Sequence, residues 1–390
     1  MRIAYLTSYD VLNSAKWPKQ KAGLCGAGYH LAKTLESQST HLDYLGPLEK
    51  IKPSFSHKLK WHLNQKLFNK DYFYFLEPSV LEKYSAQVLP KLAKFNSNVV
   101  LCPENSIPIS YLECKQPIVL WTDAPLCASV DFYPWLSNLA KETRDRLYAM
   151  EKLALERCGL LIFLSDWAAQ TAIETYGIDP AKVAVVPWGA NLETNRDFED
   201  INNIVEAKNN ECCKLLFIGV DWIRKGGDIA FKIAEELNSR GIETELTVVG
   251  CEPEAEAEVL PNYVKKLGFI SKYTREGLNK INKLFAESHF LVLPSRADFS
   301  PHVFCEANSF GLPCIGTQVG GISTLIKHDL NGKTFSLNAS ITEYCTYIAS
   351  LMNNYKDYKQ LSRSSFNEYQ TRLNWSVAGQ TAKKLIQEVL

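Results

Sequence analysis

The chain has 390 residues, with 43 basic and 43 acidic side chains, 46% hydrophobic residues and 11% aromatic residues. A hydrophobic fraction near one half argues against a disordered or fibrous chain. A formal net charge of zero argues against a general nucleic-acid-binding protein, because such proteins are usually basic. At about 150 residues per domain, the length predicts two domains.

The cysteines and the N-terminus predict a cytoplasmic protein. The 11 cysteines are odd in number, include no Cys-x-x-Cys pair and lie partly within apolar runs, which is typical of reduced, buried thiols. The seven histidines show no metal-ligand spacing, so we expect no metal site. No run approaches the roughly 18 apolar residues of a membrane span, and the first residues turn polar too soon for a signal peptide.

Short apolar runs alternate with segments of helical period in the first half, a pattern that predicts a parallel sheet built from strand–helix–strand units. Strands are predicted over 3–7, 42–45, 99–102, 118–121, 160–164 and 183–186. Helices are predicted over 29–35, 136–157 and 167–176. We therefore expect a doubly wound α/β domain over residues 1–190.

The second half repeats this plan over residues 191–375. Strands are predicted over 215–218, 246–249, 290–293 and 314–316, and helices over 228–240, 274–287, 305–310 and 342–355. The polar, acidic segment 194–210 has no strong period and is interpreted as a hinge region. The last segment, 376–390, is predicted to form an amphipathic helix. Two such domains predict a cleft where the carboxyl ends of both sheets meet.

The most informative segment is 291–321. A buried strand is followed by a loop with Asp298, a short helix near Glu306, a Gly-Leu-Pro turn and the pair Gly320-Gly321. A carboxylate only accepts hydrogen bonds and can hold two vicinal hydroxyls, as a ribose presents them. The alternatives are that Glu306 merely favours a helix N-terminus and that Asp298 is a solvated loop residue.

This arrangement resembles the signature of the family 4 glycosyltransferases, retaining enzymes of the GT-B fold with two facing Rossmann-like domains. The resemblance implies that Glu306 holds the ribose of a nucleoside-diphosphate sugar, and that Asp298 holds the hydroxyls of the donor sugar near its anomeric carbon. Asp298 stands where this family more often has Glu. Gly320 and Gly321 would let backbone N–H groups approach the diphosphate.

A second segment, 215–228, runs from a strand through Gly219 and the adjacent cations Arg224 and Lys225 into a helix. It looks like the phosphate-binding loop of the same family, with Lys225 at the position of the family's Lys. Val220 occupies the position of the family's Arg, which Arg224 would replace from a neighbouring position. Fixed cations suit a departing diphosphate, and the alternative is a basic surface turn.

Three further places complete the resemblance. Gly26 and Gly28 loosely match a glycine-rich loop that faces the donor phosphates and the acceptor, although a helix start also requires small residues. Asp123 follows a predicted strand where many relatives place a His near the reacting carbon, with a helix or turn cap as the alternative. Phe269 and Ile270 lie in a loop that would read the nucleobase through backbone contacts.

The resemblance implies a hexosyltransferase-type enzyme that moves a sugar to a hydroxyl of a glycan, lipid-linked or small-molecule acceptor. It implies that the transfer occurs with retention of configuration and requires no obligatory metal or other cofactor. UDP is expected ahead of GDP as the nucleotide. A nucleotide-sugar epimerase on the same fold and a non-catalytic nucleotide- or sugar-binding protein are the alternatives, since a fold does not specify a function.

Residues 16–70 hold ten lysines and three acidic residues. The stretches 16–21 and 57–70 mix lysines with aromatic residues, and we expect peripheral contact through 50–70 with the inner face of the membrane or with a lipid-linked acceptor. The alternative is a solvated basic face. Single-strand binders also mix cations with aromatics, but no nucleic-acid-binding motif accompanies the segment.

Overall fold

The computed structural model describes residues 1–17, 22–192, 195–253 and 260–390. Within these residues the chain forms two compact units, Met1–Pro187 with Ala378–Leu390, and Trp188–Val377. No helix among the described residues combines the length and the hydropathy needed to cross a membrane. All 11 cysteines are described; they are free thiols, and eight of them are buried.

The first unit contains a six-stranded sheet in the order β2-β1-β3-β4-β5-β6, in which every pairing is parallel. Its strands are β1 (Arg2–Tyr5), β2 (His41–Tyr44), β3 (Val99–Cys102), β4 (Ile118–Thr122), β5 (Cys158–Phe163) and β6 (Val183–Val185). The central strands β3 and β4 are buried along their whole length, because helices flank parallel sheets on both faces. This explains why these strands read as continuous apolar runs.

The helices of the first unit are α1 (Ala22–Ser37), α2 (Phe55–Phe68), α3 (Pro78–Leu92), α4 (Lys141–Arg157) and α5 (Asp166–Tyr176). The predicted start of a helix at 136 is wrong. Residues 134–136 form a separate 3₁₀ turn, and the backbone near Asn138 and Ala140 pairs with Asp71 (2.9 and 2.8 Å). The helix therefore begins at Lys141, and α2 and α3 were not predicted.

The second unit has the sheet order β12-β11-β10-β7-β8-β9, again with parallel pairings. Its strands are β7 (Cys213–Ile218), β8 (Thr244–Val249), β9 (Val264–Lys266), β10 (Phe290–Leu293), β11 (Cys314–Thr317) and β12 (Gly332–Phe335). Its helices are α6 (Phe198–Glu206), α7 (Gly227–Ser239), α8 (Arg275–Glu287), α9 (His302–Asn308), α10 (Ile322–Leu325), α11 (Ile341–Asn353) and α12 (Tyr355–Arg372). The last helix, α13 (Trp375–Glu388), matches the predicted C-terminal helix, and its residues from Ala378 belong to the first unit.

The segment 194–210, interpreted as a hinge from its lack of a strong period, contains the helix α6, which was not predicted. Asp197 caps the helix and accepts hydrogen bonds from the backbone N–H groups of Glu199 and Asp200. Ile201 and Val205, four residues apart, are buried on one face. Acidic residues therefore cluster here because they stabilise a helix start. Thr194, the first residue of the predicted hinge, lies outside the described residues.

Candidate functional site

The loop between β7 and α7 is shaped by two glycines. The N–H of Gly219 donates to the carbonyl of Val249 (2.9 Å), so the end of β7 stays paired with β8. Gly226 has a φ of +77°, and a Cβ there would overlap the carbonyl of Pro294. Only glycine fits this position without strain. The β7–α7 loop therefore lies directly against the end of β10, the neighbouring strand.

Lys225 and Asp298, both predicted from the sequence, meet in this region. The Lys225 side chain crosses Gly219, whose hypothetical Cβ would lie 3.2 Å from Lys225 Cβ. Lys225 Nζ donates a hydrogen bond to Asp298 Oδ2, and the Ser295 hydroxyl lies 3.4 Å from the same oxygen. Both side chains of the ion pair are mostly buried. A fixed cation and a fixed carboxylate thus stand at the carboxyl edge of the sheet.

Arg224 joins the same two loops instead of projecting away from them. Its guanidinium donates to the carbonyl of Ala297 (2.8 Å) and pairs with Asp221 (3.2 Å). Val220, at the position of the family's Arg, is 70% exposed. A bidentate pair between Arg296 and Asp228 (2.7 Å for both hydrogen bonds) ties the β10 loop to the start of α7. Arg224 therefore lies beside Lys225, but its guanidinium makes hydrogen bonds and an ion pair within the protein.

Glu306 has a partner that the sequence analysis missed. Its carboxylate, on α9, is almost fully buried and accepts a hydrogen bond from Lys272 Nζ. Lys272 follows the loop of Phe269 and Ile270, in which Phe269 is exposed and Ile270 half-buried. The predicted nucleobase loop therefore reaches the predicted ribose carboxylate. No sequence signal pointed to Lys272, because it lies 34 residues before Glu306.

The glycine pair after β11 lies against the loop of Asp298. Gly320 has a φ of +52°, a left-handed conformation that favours glycine. The N–H of Gly321 donates to the carbonyl of Phe299 (2.7 Å), so this amide already has a backbone partner. The structure thus brings both glycines beside the predicted sugar site, and their contact with a diphosphate remains a prediction.

Two residues between Asp298 and Glu306 form a feature that sequence reasoning did not find. His302 stacks on Trp188 (ring centroids 5.3 Å apart), and its Nδ1 lies 3.1 Å from the carbonyl of Gly189. Burial lowers the pKa of His302 below its usual value, so the imidazole is neutral at neutral pH. The buried Ser300 hydroxyl has no hydrogen-bond partner among the described residues.

In the first unit, the predicted residues lie near the carboxyl ends of β1 and β4. Asp123 directly follows β4 and is half-buried. Gly26 and Gly28 are buried in α1, and a Cβ on Gly28 would overlap the Tyr9 hydroxyl. Close packing therefore requires glycine at position 28, and its role toward a ligand stays a prediction.

A buried acid that the sequence analysis missed lies at the same edge. Glu104 follows β3, and its carboxylate accepts hydrogen bonds from the backbone N–H (2.7 Å) and the hydroxyl (3.1 Å) of Ser8. Because the strands are parallel, Glu104 and Asp123 belong to one edge of the sheet. An acidic residue two positions after an apolar strand was the available signal.

The second unit combines three chemical groups at one edge of its sheet. Lys225 supplies a cation for phosphate oxygens, and Asp298 and Glu306 supply acceptors for hydroxyls. Among the described residues, no group of three or more His, Cys, Asp or Glu side chains could hold a metal ion. This combination suits a ligand that carries both phosphates and vicinal hydroxyls.

Comparison with known proteins shows what this part of the chain is similar to. A family model described as "Glycosyl transferases group 1" matches residues 199–368. The Escherichia coli UDP-Gal:alpha-D-GlcNAc-diphosphoundecaprenol alpha-1,3-galactosyltransferase is 25% identical over 215 residues, which are 53% of this chain and 51% of that protein. The chain thus spans about half the length of the curated relatives that it matches.

Solved structures resemble the chain over its whole length. Anabaena HepE, solved in complex with UDP-glucose, superposes with a TM-score of 0.60 at 17% identity and with full coverage of both chains (100% each). WaaG, a glycosyltransferase involved in lipopolysaccharide biosynthesis, gives a TM-score of 0.63 at 17% identity, with 99% of each chain covered. Together with the two parallel six-stranded sheets, these matches confirm the predicted α/β, GT-B fold class.

Proposed function

We propose that this protein, whose residues 199–368 belong to the glycosyl transferases group 1 family, transfers a sugar from a nucleoside-diphosphate sugar to a hydroxyl acceptor with retention of configuration. The observation that carries the proposal is the convergence of Lys225, Asp298 and Glu306 on the carboxyl edge of one sheet. Ligands of open parallel sheets bind at this edge.

The reaction breaks the bond between the anomeric carbon and the β-phosphate oxygen, and forms a bond from that carbon to the acceptor oxygen on the same face. The acceptor proton passes to the departing diphosphate. Lys225 neutralises the charge that develops on this leaving group, which is the electrostatic contribution that fixed cations make in active sites. The proposal therefore requires no divalent metal. Asp298, held by Lys225, accepts hydrogen bonds from donor-sugar hydroxyls.

The nucleotide binds through Glu306 and the neighbouring backbone. Glu306 accepts hydrogen bonds from the ribose hydroxyls, while the backbone around Phe269 and Ile270 contacts the base. Gly219, Gly320 and Gly321 allow the diphosphate to approach the backbone. The UDP-Gal named for the E. coli relative and the UDP-glucose bound by HepE support UDP ahead of GDP.

The acceptor side is proposed for the first unit. Asp123 and Glu104, at the carboxyl edge of its sheet, are acceptors for sugar hydroxyls, and Gly26 and Gly28 lie on α1 of the same unit. The E. coli relative is named for a diphosphoundecaprenol acceptor, which supports a lipid-linked glycan as the acceptor class. An enzyme with such a substrate must work at a membrane surface.

Helix α2 has the properties of a membrane-binding surface. Its polar face packs on the protein: Lys60 pairs with Glu77 (3.0 Å) and Gln65 donates to Asp71 (2.9 Å). The opposite face carries Phe55, Leu59, Leu63 and Leu67, spaced four residues apart and between 45% and 84% exposed. None of the residues of α2 is buried. An apolar stripe that points away from the protein requires another apolar environment.

The charge around α2 supports an anionic membrane as the surface that it contacts. Residues 50–70 contain six lysines and no acidic residue, and Lys58 and Lys66 are exposed on α2. Lysines beside exposed leucines and aromatics are the composition of interfacial helices on anionic bilayers. Residues 18–21 of the other basic stretch lie outside the described residues. We therefore place the protein peripherally on the cytoplasmic face of the membrane.

We expect the full chain to co-sediment with vesicles that contain phosphatidylglycerol, and less with neutral vesicles. Replacing Leu59 and Leu63 together by Glu should reduce binding by at least about tenfold, because each side chain loses part of the roughly 1.5–3 kcal/mol that burying a Leu provides. The matched control is Leu337→Glu, a Leu of similar exposure on the second unit. Equal loss in this control, or no binding by the unaltered protein, would contradict the membrane role of α2.

The donor class is tested by thermal unfolding with UDP, GDP, ADP, TDP and, as a control, NAD. A nucleotide present at a hundred times its Kd stabilises the folded state by about 2.7 kcal/mol, a clear rise in Tm. We expect UDP to stabilise most, and transfer from the matching UDP-sugar to persist in EDTA. Stabilisation by NAD alone would overturn the proposal. Product formed without an acceptor would favour an epimerase, and tight binding without turnover would favour a binding protein.

A further inference from the structure

A pocket of about 240 Å³ lies at the opposite, amino edge of the sheet in the second unit. Its lining includes Lys208, Asn209, Lys214, Glu287 and His289. Lys214 is near the start of β7, and His289 directly precedes β10. Because these strands are parallel, the pocket is at the end of the sheet remote from Lys225 and Asp298. The proposed transfer reaction does not use it.

Lys208 is the unusual residue of this pocket. It is 91% buried (9% exposed), and its Nζ has the Tyr358 hydroxyl as a hydrogen-bond partner at 3.4 Å. Within the described ranges, it forms no ion pair with a carboxylate. Burial alone lowers the pKa of Lys208 to about 7. A buried ammonium without a counter-ion is strongly unfavourable, so this position favours either an anion or the neutral amine.

The pocket has three further titratable groups, Lys214, His289 and Glu287. The His289 ring accepts from the Lys214 N–H (3.0 Å) through Nδ1 and lies 2.8 Å from the carbonyl of Asn209 through Nε2. Burial and the charges of Lys208 and Lys214 lower the pKa of His289 to about 4, so this ring is neutral at pH 7. Glu287 is half-exposed and lies 3.7 Å from Lys283. The pocket thus holds two lysines and one carboxylate, and this carboxylate has Lys283 outside the lining as its own cation.

We infer that this pocket binds a phosphate-sized oxyanion, with Lys208 and Lys214 as its cations. The volume is sufficient for inorganic phosphate or for a small phosphate monoester, and both present the same tetrahedral oxyanion. A bound oxyanion supplies the counter-ion that Lys208 lacks and stabilises its ammonium form. The inference is independent of the proposed transferase activity.

The test is thermal unfolding of the full chain at pH 7.5 in potassium phosphate, in glycerol 3-phosphate and in potassium chloride of matched ionic strength. We expect a saturable rise in Tm with phosphate that chloride does not produce. A larger rise with glycerol 3-phosphate would identify a monoester as the better ligand, and a larger rise with phosphate the free ion. No response beyond that of chloride would overturn the inference.

Variants locate the response. Lys208→Met should raise Tm in chloride, because burying Lys208 costs stability either as an unpaired ammonium or through its deprotonation, and should abolish the phosphate response. Lys214→Ala, at a half-buried position, should weaken the apparent phosphate affinity at least about fivefold. This variant replaces Lys208→Met as the test if Lys208→Met does not fold. The Lys225→Ala variant of the donor site should retain the response. If the phosphate response persists in Lys208→Met or is lost in Lys225→Ala, this pocket is not the oxyanion site.

The nucleotide experiment separates this inference from the proposed function. Lys208→Met should bind UDP as the unaltered protein does, because the two sites occupy opposite edges of the sheet. A failure of UDP binding in the unaltered protein would count against the proposed transferase. Such a failure would not bear on phosphate binding at Lys208, which is tested separately by the Lys208 and Lys214 variants.

Discussion

The Lys225→Met variant is expected to lower kcat for sugar transfer by about 10²- to 10³-fold, the usual effect of removing one group that stabilises charge in a transition state. Lys225 is the cation that the structure holds beside Asp298, and methionine preserves most of the side-chain volume across Gly219. The measurement is steady-state transfer from the UDP-sugar that best stabilises the protein. The change should appear mainly in kcat, because the charge on the leaving diphosphate develops during the reaction.

The matched control for Lys225 is Lys232→Met, an exposed lysine on α7 of the same unit. It should leave kcat unchanged. If both variants lose activity equally, the effect is one of overall charge or stability. If neither does, Lys225 does not stabilise the leaving group, and Arg224 would be the next cation to test, although its donors hold Asp221 and Ala297.

Glu306→Gln is expected to weaken binding of the nucleoside diphosphate by about 30- to 150-fold. Hydrogen bonds to a charged group contribute about 1.5–3 kcal/mol each, and the neutral amide keeps the shape of the side chain but offers a single acceptor oxygen. A loss of about 2–3 kcal/mol gives this range. Isothermal titration with UDP measures the change directly, and it should also reduce the rise in Tm with UDP.

The role of Lys272 must be separated from that of Glu306. Glu276→Gln, on an exposed acid of α8, is the control for a lost negative charge and should bind UDP normally. Lys272→Met should weaken UDP binding less than Glu306→Gln, because the carboxylate that accepts from the ribose remains. If Lys272→Met and Glu306→Gln are equally defective and their effects do not add, Glu306 acts only by holding Lys272, and the assignment as ribose ligand is wrong.

The fold class was predictable because a parallel α/β sheet leaves a strong local pattern. Strands buried on both faces read as short apolar runs, such as Val99–Cys102 and Phe290–Leu293, and the helices between them show a period near 3.6. The failures have local causes. Helix α6 lies in an acidic segment that reads as a linker, and its burial of Ile201 and Val205 rests on too few apolar residues to be recognised. Helix α2 was missed because its segment was interpreted by its basic and aromatic composition, although its apolar residues recur every four positions.

The candidate site was predictable to a similar degree. Asp298 and Lys225 are 73 residues apart, yet each lies in the loop that follows a predicted strand, and parallel strands place all such loops at one edge. Glu104 obeys the same rule and was missed because no motif surrounds it. The stack of His302 on Trp188 could not be predicted in this way. The two rings are 113 or more residues apart in the sequence, and only the packing of the folded chain brings them into contact.

The sequence by itself indicated the two α/β units and the sheet edge at which ligands of such sheets bind. These follow from short-range information: hydrophobic period and strand ends. The resemblance of two loop segments to the family 4 glycosyltransferases pointed to the cation and the two carboxylates of the candidate donor site. Only the tertiary structure decided the pairing of Lys272 with Glu306, the outward direction of the apolar stripe on α2, and the burial of Lys208 without a carboxylate. Each of these depends on which distant side chains share a small volume, and no local pattern encodes that.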